Sequence, residues 1–150
     1  MRYCLPYAEK RTKGPYTYTV KDGKATITGY TGPGGAVNIP IAATLGGCPV
    51  TTIGSCAFGD CTSPESVTIP ASVTTIGDDA FSDCESLTSV TIPASVTTIG
   101  DGVFSGCTSL ASVYFAGNTP IPGSSVFRSC RMKRVPSFGT VRQVTWASCL

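Results

Sequence analysis

The sequence predicts a repeat solenoid, mainly β, built from coils of 23 residues and closed at its N-terminal end by a β-hairpin. Three observations carry that prediction. The first is a set of columns held in phase. Phe58, Phe81, Phe104 and Phe127 lie 23 residues apart, as do Cys61, Cys84, Cys107 and Cys130. Ile53, Ile76 and Ile99 keep the same step, each followed by a glycine (Gly54, Gly77, Gly100), and so do Val67, Val90 and Val113. Ile69 and Ile92 share it, with Phe115 as a conservative third member. Such a period marks one coil stacked on the next. The second is composition. Hydrophobic residues make up 41% and charged residues only 13%, with 17 Gly and 11 Pro, which suits short strands and many turns rather than long helices. The third is Asp22-Gly23 between two alternating runs, a pair that tolerates the positive φ angles of a tight hairpin turn.

Taken in order, residues 1–15 read as a flexible arm. The segment 16–36 reads as the hairpin cap, with Tyr16, Tyr18 and Val20 on one face and Ile27 available to pack among them. A solenoid needs its first coil covered, and the hairpin supplies that cover. The solenoid proper is expected over 37–127. Val37-Asn38-Ile39-Pro40 matches Val67-Thr68-Ile69-Pro70, and Val50-Thr51-Thr52-Ile53 matches Val73-Thr74-Thr75-Ile76. On that alignment Ile39 and Ile53 are 14 positions apart where later coils use 7, so the first coil carries a seven-residue insertion around Leu45-Gly46-Gly47-Cys48.

Within one coil, Leu87 to Ile92 forms a short strand with Val90 and Ile92 inward and Ser89 and Thr91 outward. Pro93 ends it, because proline cannot donate to a ladder. Val96 and Ile99 re-enter the core, Gly100 turns the chain, and residues 101–107 form a single helical turn at most. Phe104 and Cys107, three apart, both face inward. Pro64 departs from the apolar opening position held by Leu87 and Leu110, at the cost of a contact. After Phe127 the columns fail. Lys133 and Pro136 fall where core residues are due, so 128–150 reads as a degenerate or disordered basic tail.

Charge divides along the same lines. The formal net charge is +2, yet Ala25 to Phe127 contains no Lys or Arg and seven acids: Asp60, Glu65, Asp78, Asp79, Asp83, Glu85 and Asp101. An acidic body excludes nucleic acid as its partner. No stretch is long and apolar enough for a transmembrane helix. Met1 to Pro15 lacks the apolar run of a signal peptide, so the chain is expected to be cytosolic or part of a longer exported protein.

The chain has no His, which removes Ser-His-Asp and Cys-His catalysis and imidazole zinc sites. No Gly-rich phosphate loop with Lys is present and no nucleophile sits in a recognisable setting, so no enzyme, cofactor or metal site is expected. Four of the eight Cys form one repeat column and read as buried, reduced thiols; coils are also close enough for a bridge between them. Cys4, Cys48, Cys56 and Cys149 lie outside the column, and Cys56 and Cys61 lack zinc spacing. The acids Asp78, Asp79, Asp83, Glu85 and Asp101 offer hard oxygen ligands of the kind calcium takes. They do not alternate as a binding loop does, so a solvated edge is the preferred reading. The pairs Thr51-Thr52, Thr74-Thr75 and Thr97-Thr98 repeat in register. They fit exposed strand positions and equally a regular hydroxyl surface for ice or a crystalline polysaccharide.

The pattern L-x-x-V-x-I-P-x-x-V-x-x-I-G-x-x-A/V-F-x-x-C resembles the BspA-type leucine-rich repeat, over roughly Val37 to Phe127. The resemblance implies leucine-rich-repeat coils and a non-enzymatic module of a cell-surface or secreted protein that adheres to host proteins or other cells. The outward strand positions Ser66, Thr68, Ser89, Thr91, Ser112 and Tyr114 are the candidate binding row, with Tyr114 as anchor because it joins contact area to a hydrogen-bonding tip. The expected partner is a protein, with no nucleic acid and no membrane insertion; the oligomeric state stays open. A structural spacer within a larger surface protein and the threonine-lattice binder are the rival readings.

Overall fold

A computed structural model describes residues 10–32, 38–62, 64–116, 124–129 and 141–144, with 38–40, 124 and 141–144 described by their backbone. The readings that fall on Cys4, Val37, Cys130, Lys133, Pro136 and Cys149 lie outside these residues.

The chain coils into a mainly β solenoid. Its strands are β1 (Arg11–Lys13), β2 (Tyr16–Lys21), β3 (Lys24–Tyr30), β4 (Asn38–Pro40), β5 (Thr44–Leu45), β6 (Cys48–Ile53), β7 (Ser66–Thr68), β8 (Thr75–Ile76), β9 (Ser89–Ile92), β10 (Thr98–Ile99), β11 (Ser112–Ala116) and β12 (Val141–Val144). Among the described residues they form two sheets. Sheet A runs β1-β2-β3-β6-β8-β10, with β5 attached to β6, and sheet B runs β12-β11-β9-β7-β4. Each complete coil gives one short strand to each sheet and a turn segment between coils. Pairing between coils is parallel and in register: Val67 beside Val90 beside Val113 in sheet B, and Ile53 beside Ile76 beside Ile99 in sheet A.

The inward columns form one core. Val67, Val90, Val113, Ile69, Ile92, Phe115, Leu87 and Leu110 are buried, as are Ile53 and Ile76. Ile99 is only half-buried; among the described residues β10 is the last strand of sheet A. Pro64 is buried and so fills the opening position after all, its ring standing in for the leucine. The rings of Phe58, Phe81, Phe104 and Phe127 stack at 5.2, 5.7 and 5.9 Å with interplanar angles of 15°, 11° and 8°. At the cap end Tyr30 lies 5.3 Å from Phe58, and Tyr16 lies 5.4 Å from Tyr30. The stack thus continues from repeat into hairpin.

Four sequence expectations need correction. The turn segments are not helical turns: each is a run of hydrogen-bonded turns whose N–H groups reach the next coil, as in Phe58 N to Ala80 O (2.8 Å) and Phe81 N to Val103 O (2.9 Å). Among the described residues the only helix is a 3-10 turn at Ser124–Phe127. The first-coil alignment shifts by two. Ile39 pairs with Val67, not Ile69, and the Ile41 N–H bonds to Thr68 O, which sets the buried Ile41 beside Ile69. The chain Ile39-Pro40-Ile41 offers both registers, and a two-residue slip keeps the same face inward. Ile41 to Ile53 is then 12 positions against 7 from Ile69 to Ile76, an insertion of five. That insertion folds as a hairpin, β5 against β6, around Gly46 and Gly47 at φ 60° and 78°.

The remaining corrections concern the ends. Arg11–Lys13, read as part of the arm, pairs antiparallel with β2. Val141–Val144, read as part of a disordered tail, pairs antiparallel with β11. Backbone hydrogen bonds need no apolar residue, so Arg-Thr-Lys gave no pattern to detect. Val-Arg-Gln-Val alternates, but it lies outside the 23-residue phase.

Candidate functional site

In β7, β9 and β11 the valines point into the core, so their neighbours stand on the opposite face. The parallel register then aligns Ser66, Ser89 and Ser112 in one column and Thr68, Thr91 and Tyr114 in the next. The structure therefore places all six sequence-predicted positions together on the outer face of sheet B. Thr68 and Thr91 are exposed, and the serines and Tyr114 are half-exposed. In backbone register, Asn38 pairs beside Ser66, Pro40 beside Thr68, and Gln143 beside Tyr114. No strand position named here in β7, β9 or β11 carries a charge.

Sheet A separates the repeating threonines into two kinds. Thr74 Oγ1 donates to Thr51 O (3.2 Å), and Thr97 Oγ1 donates to Thr74 O (3.3 Å). Those hydroxyls tie one coil to the one before it. Thr52, Thr75 and Thr98 instead sit in register between the inward isoleucines and their bonded neighbours. The register continues into the cap, with Thr26 beside Thr52 and Thr19 beside Thr26. Sequence reading missed Thr19 and Thr26, because the cap has no 23-residue phase; the alternation of Tyr16 to Lys21 was the signal available.

The turn face explains the acids. The left-handed conformation recurs at Cys56, Asp79 and Gly102 (φ 56°, 53°, 63°) and at Asp60, Asp83, Gly106 and Ser129 (φ 59°, 56°, 72°, 60°), each set 23 residues apart. Glycine and aspartate are the residue types that enter this region at least cost. Asp78 Oδ1 accepts from the Asp101 N–H at 2.9 Å, and Asp101 Oδ1 accepts from Ser125 Oγ at 3.4 Å. A cavity of about 370 Å³ lies here, lined by Asp78, Asp79, Asp101, Gly102, Ser105, Ser125 and Arg128. Among the described residues no group of three or more His, Cys, Asp or Glu is arranged to hold a metal ion.

The thiols divide as well. Cys84 Sγ donates to Phe58 O at 3.1 Å and Cys107 Sγ to Phe81 O at 3.0 Å, and both are buried. Cys61, expected to be buried with them, is half-buried, since the hairpin rather than a repeat coil precedes it. A hydrogen bond shared with Cys84, together with burial, pushes the Cys107 thiol up. Burial and the nearby Asp60 carboxylate push Cys61 up. All five described cysteines are unbridged. In the cap, burial and the charge of an ionised Tyr30 hydroxyl raise the Tyr16 phenol against a lowering backbone bond at Ala42, while burial and Cys61 raise Tyr30. A thiol held protonated is neither a nucleophile nor a metal ligand.

The family model described as "BspA type Leucine rich repeat region (6 copies)" matches residues 46–147. The chain belongs to this family. The match runs beyond Phe127 and takes in the strand β12. Three solved structures are similar. A leucine rich cell surface protein from Faecalibacterium prausnitzii A2-165 is 33% identical with a TM-score of 0.62, covering 82% of this chain and 32% of its own. A leucine-rich repeat protein from Bacteroides ovatus ATCC 8483 is 30% identical with a TM-score of 0.66, covering 85% of this chain and 35% of its own. A leucine-rich repeat protein from Bacteroides capillosus ATCC 29799 is 34% identical with a TM-score of 0.60, covering 68% of this chain and 78% of its own. The chain spans about a third of the length of the first two. No curated protein matches it. Among the described residues no helix is long and apolar enough to cross a membrane.

Proposed function

We propose that this BspA-type chain is a non-enzymatic interaction module of a cell-surface protein, holding a protein partner against the outer face of sheet B. The observation that supports it is the register. Two uncharged columns, Ser66-Ser89-Ser112 and Thr68-Thr91-Tyr114, lie side by side on strands whose fold depends on the alternate valines. Outward residues of a stacked repeat vary without disturbing the core, which is how solenoids present extended binding surfaces. Tyr114 gives the face an amphipathic anchor of the kind that dominates protein interfaces. The surface location rests on the Faecalibacterium prausnitzii protein, which is described as a leucine rich cell surface protein.

Retention of the full chain on immobilised extracellular-matrix proteins tests this reading. Tyr114→Ala is expected to weaken retention by about thirtyfold, the effect of losing a central aromatic anchor, and Thr91→Lys to abolish it. Equal retention of both variants, or none by the parent chain, refutes the reading in favour of a spacer without its own ligand.

A further inference from the structure

Sheet A carries a second surface whose chemistry differs from that of sheet B. Thr19, Thr26, Thr52, Thr75 and Thr98 form one continuous in-register row across β2, β3, β6, β8 and β10. Successive members are ~4.8 Å apart, the spacing of hydrogen-bonded strands. Among the described residues, no intramolecular hydrogen bond engages the hydroxyls of Thr52, Thr75 and Thr98, whereas those of Thr74 and Thr97 are committed to backbone carbonyls. Two positions along β2 and β3 from Thr19 and Thr26, on the same face, stand Lys21 and Lys24, ~7 Å from the row by strand rise. They pair directly across the hairpin.

Like charges directly opposite each other destabilise a sheet, and here the surroundings add to the repulsion. Between Lys10 and Ile53 the cations are Lys10, Arg11, Lys13, Lys21 and Lys24, all exposed, against Asp22 as the one acid. From these observations we propose that the outer face of sheet A binds an extended anionic polysaccharide, its hydroxyls meeting the threonine row and its acid groups lying over Lys21 and Lys24. The chemistry of the face selects that class. The row and its flanking pair hold only threonine and lysine, without the aromatic or aliphatic anchor that a protein interface needs or the apolar wedge that a membrane surface needs. A ladder of hydroxyls with one cationic end fits a chain that is itself rich in hydroxyls and repeats at about the length of a strand spacing. This surface is separate from sheet B and stands whether or not sheet B binds a protein.

The test uses the full chain and surfaces bearing polygalacturonate or dextran sulfate. Uncharged dextran, polyacrylate, duplex DNA and vesicles of phosphatidylglycerol serve as comparators. Binding to either anionic glycan, with none to dextran, is expected. Affinity is expected to fall about tenfold in Lys21→Gln/Lys24→Gln, with a shallower salt dependence, and about fivefold in Thr52→Ala/Thr75→Ala, the loss of a pair of hydrogen bonds at the weak end of their range. Where the threonine double variant lowers the melting temperature, Thr98→Ala at its exposed position gives the same readout. Thr91→Lys on sheet B should leave glycan affinity unreduced. Equal or tighter binding to polyacrylate, DNA or vesicles overturns the proposal, as does an affinity unmoved by the threonine variants or absent for both anionic glycans.

Discussion

Between the second and third coils, the turn stack sets Phe81 against Phe104 at 5.7 Å, while between the third and fourth the strand ladder sets Thr91 against Tyr114 on the outer face. Each contact joins one coil to the next, but the demands differ. The ring needs a ring of the same size above it, and both are fully buried. The threonine needs only a backbone that keeps its register, and its side chain stands in solvent. The turn side therefore fixes residue identity, through phenylalanine, thiol and glycine columns, whereas the strand side fixes only alternation. A threonine in one coil becomes a tyrosine in the next without loss of pairing. Binding chemistry has room to change on the strand faces and little room on the turn stack.

The sharpest way to break that contrast is Phe81→Ala. Removing this buried ring should cost ~3–5 kcal/mol, read as a shift in the denaturant midpoint with unchanged slope. A cost below that of an exposed strand substitution would show that the rings do not join the coils. The second probe is Gly77→Ala. A Cβ there would meet Ser55 N at 2.8 Å and the Gly54 carbonyl carbon at 3.0 Å, both backbone atoms of the coil below. The coils must move apart, at about 1–3 kcal/mol, the usual cost of overpacking. Unchanged thermal stability would mean that the turn backbones tolerate wider spacing than their stack suggests. The smallest and most discriminating pair is Thr74→Val against Thr75→Val. The first removes the hydroxyl bonded to Thr51 O and should cost about 1 kcal/mol; the second removes a hydroxyl facing solvent and should cost close to nothing. Equal effects would erase the distinction between the two columns.

How much of this was legible in the sequence depends on what each feature needs from it. The inward columns were readable because burial demands apolar residues at a fixed step, so Phe58, Phe81 and Phe104 declared both coil and core. The six outward positions followed from strand alternation once the valines were placed. The first coil was misaligned because Ile39 and Ile41 are chemically alike, and only the pairing with Val67 selects between them. β1 and β12 were missed because their pairing rests on backbone bonds outside the repeat phase. The left-handed columns were hidden in plain view: Cys56, Asp79 and Gly102 share no side-chain property that pattern matching recognises. What they share is a backbone angle.

The ring ladder does not stop where the repeats stop. Tyr30 covers Phe58, and Tyr16 leans on Tyr30, while β3 pairs with β6 through Thr26 and Ile27. In an array whose stability is a sum of neighbour contacts, an end unit held weakly would fray before the rest. Here the terminal hairpin is joined to its neighbour by the same two kinds of contact, aromatic and ladder, that join coil to coil. On that account the hairpin is expected to melt together with the coils behind it, as part of one cooperative unit rather than a lid resting on a stack.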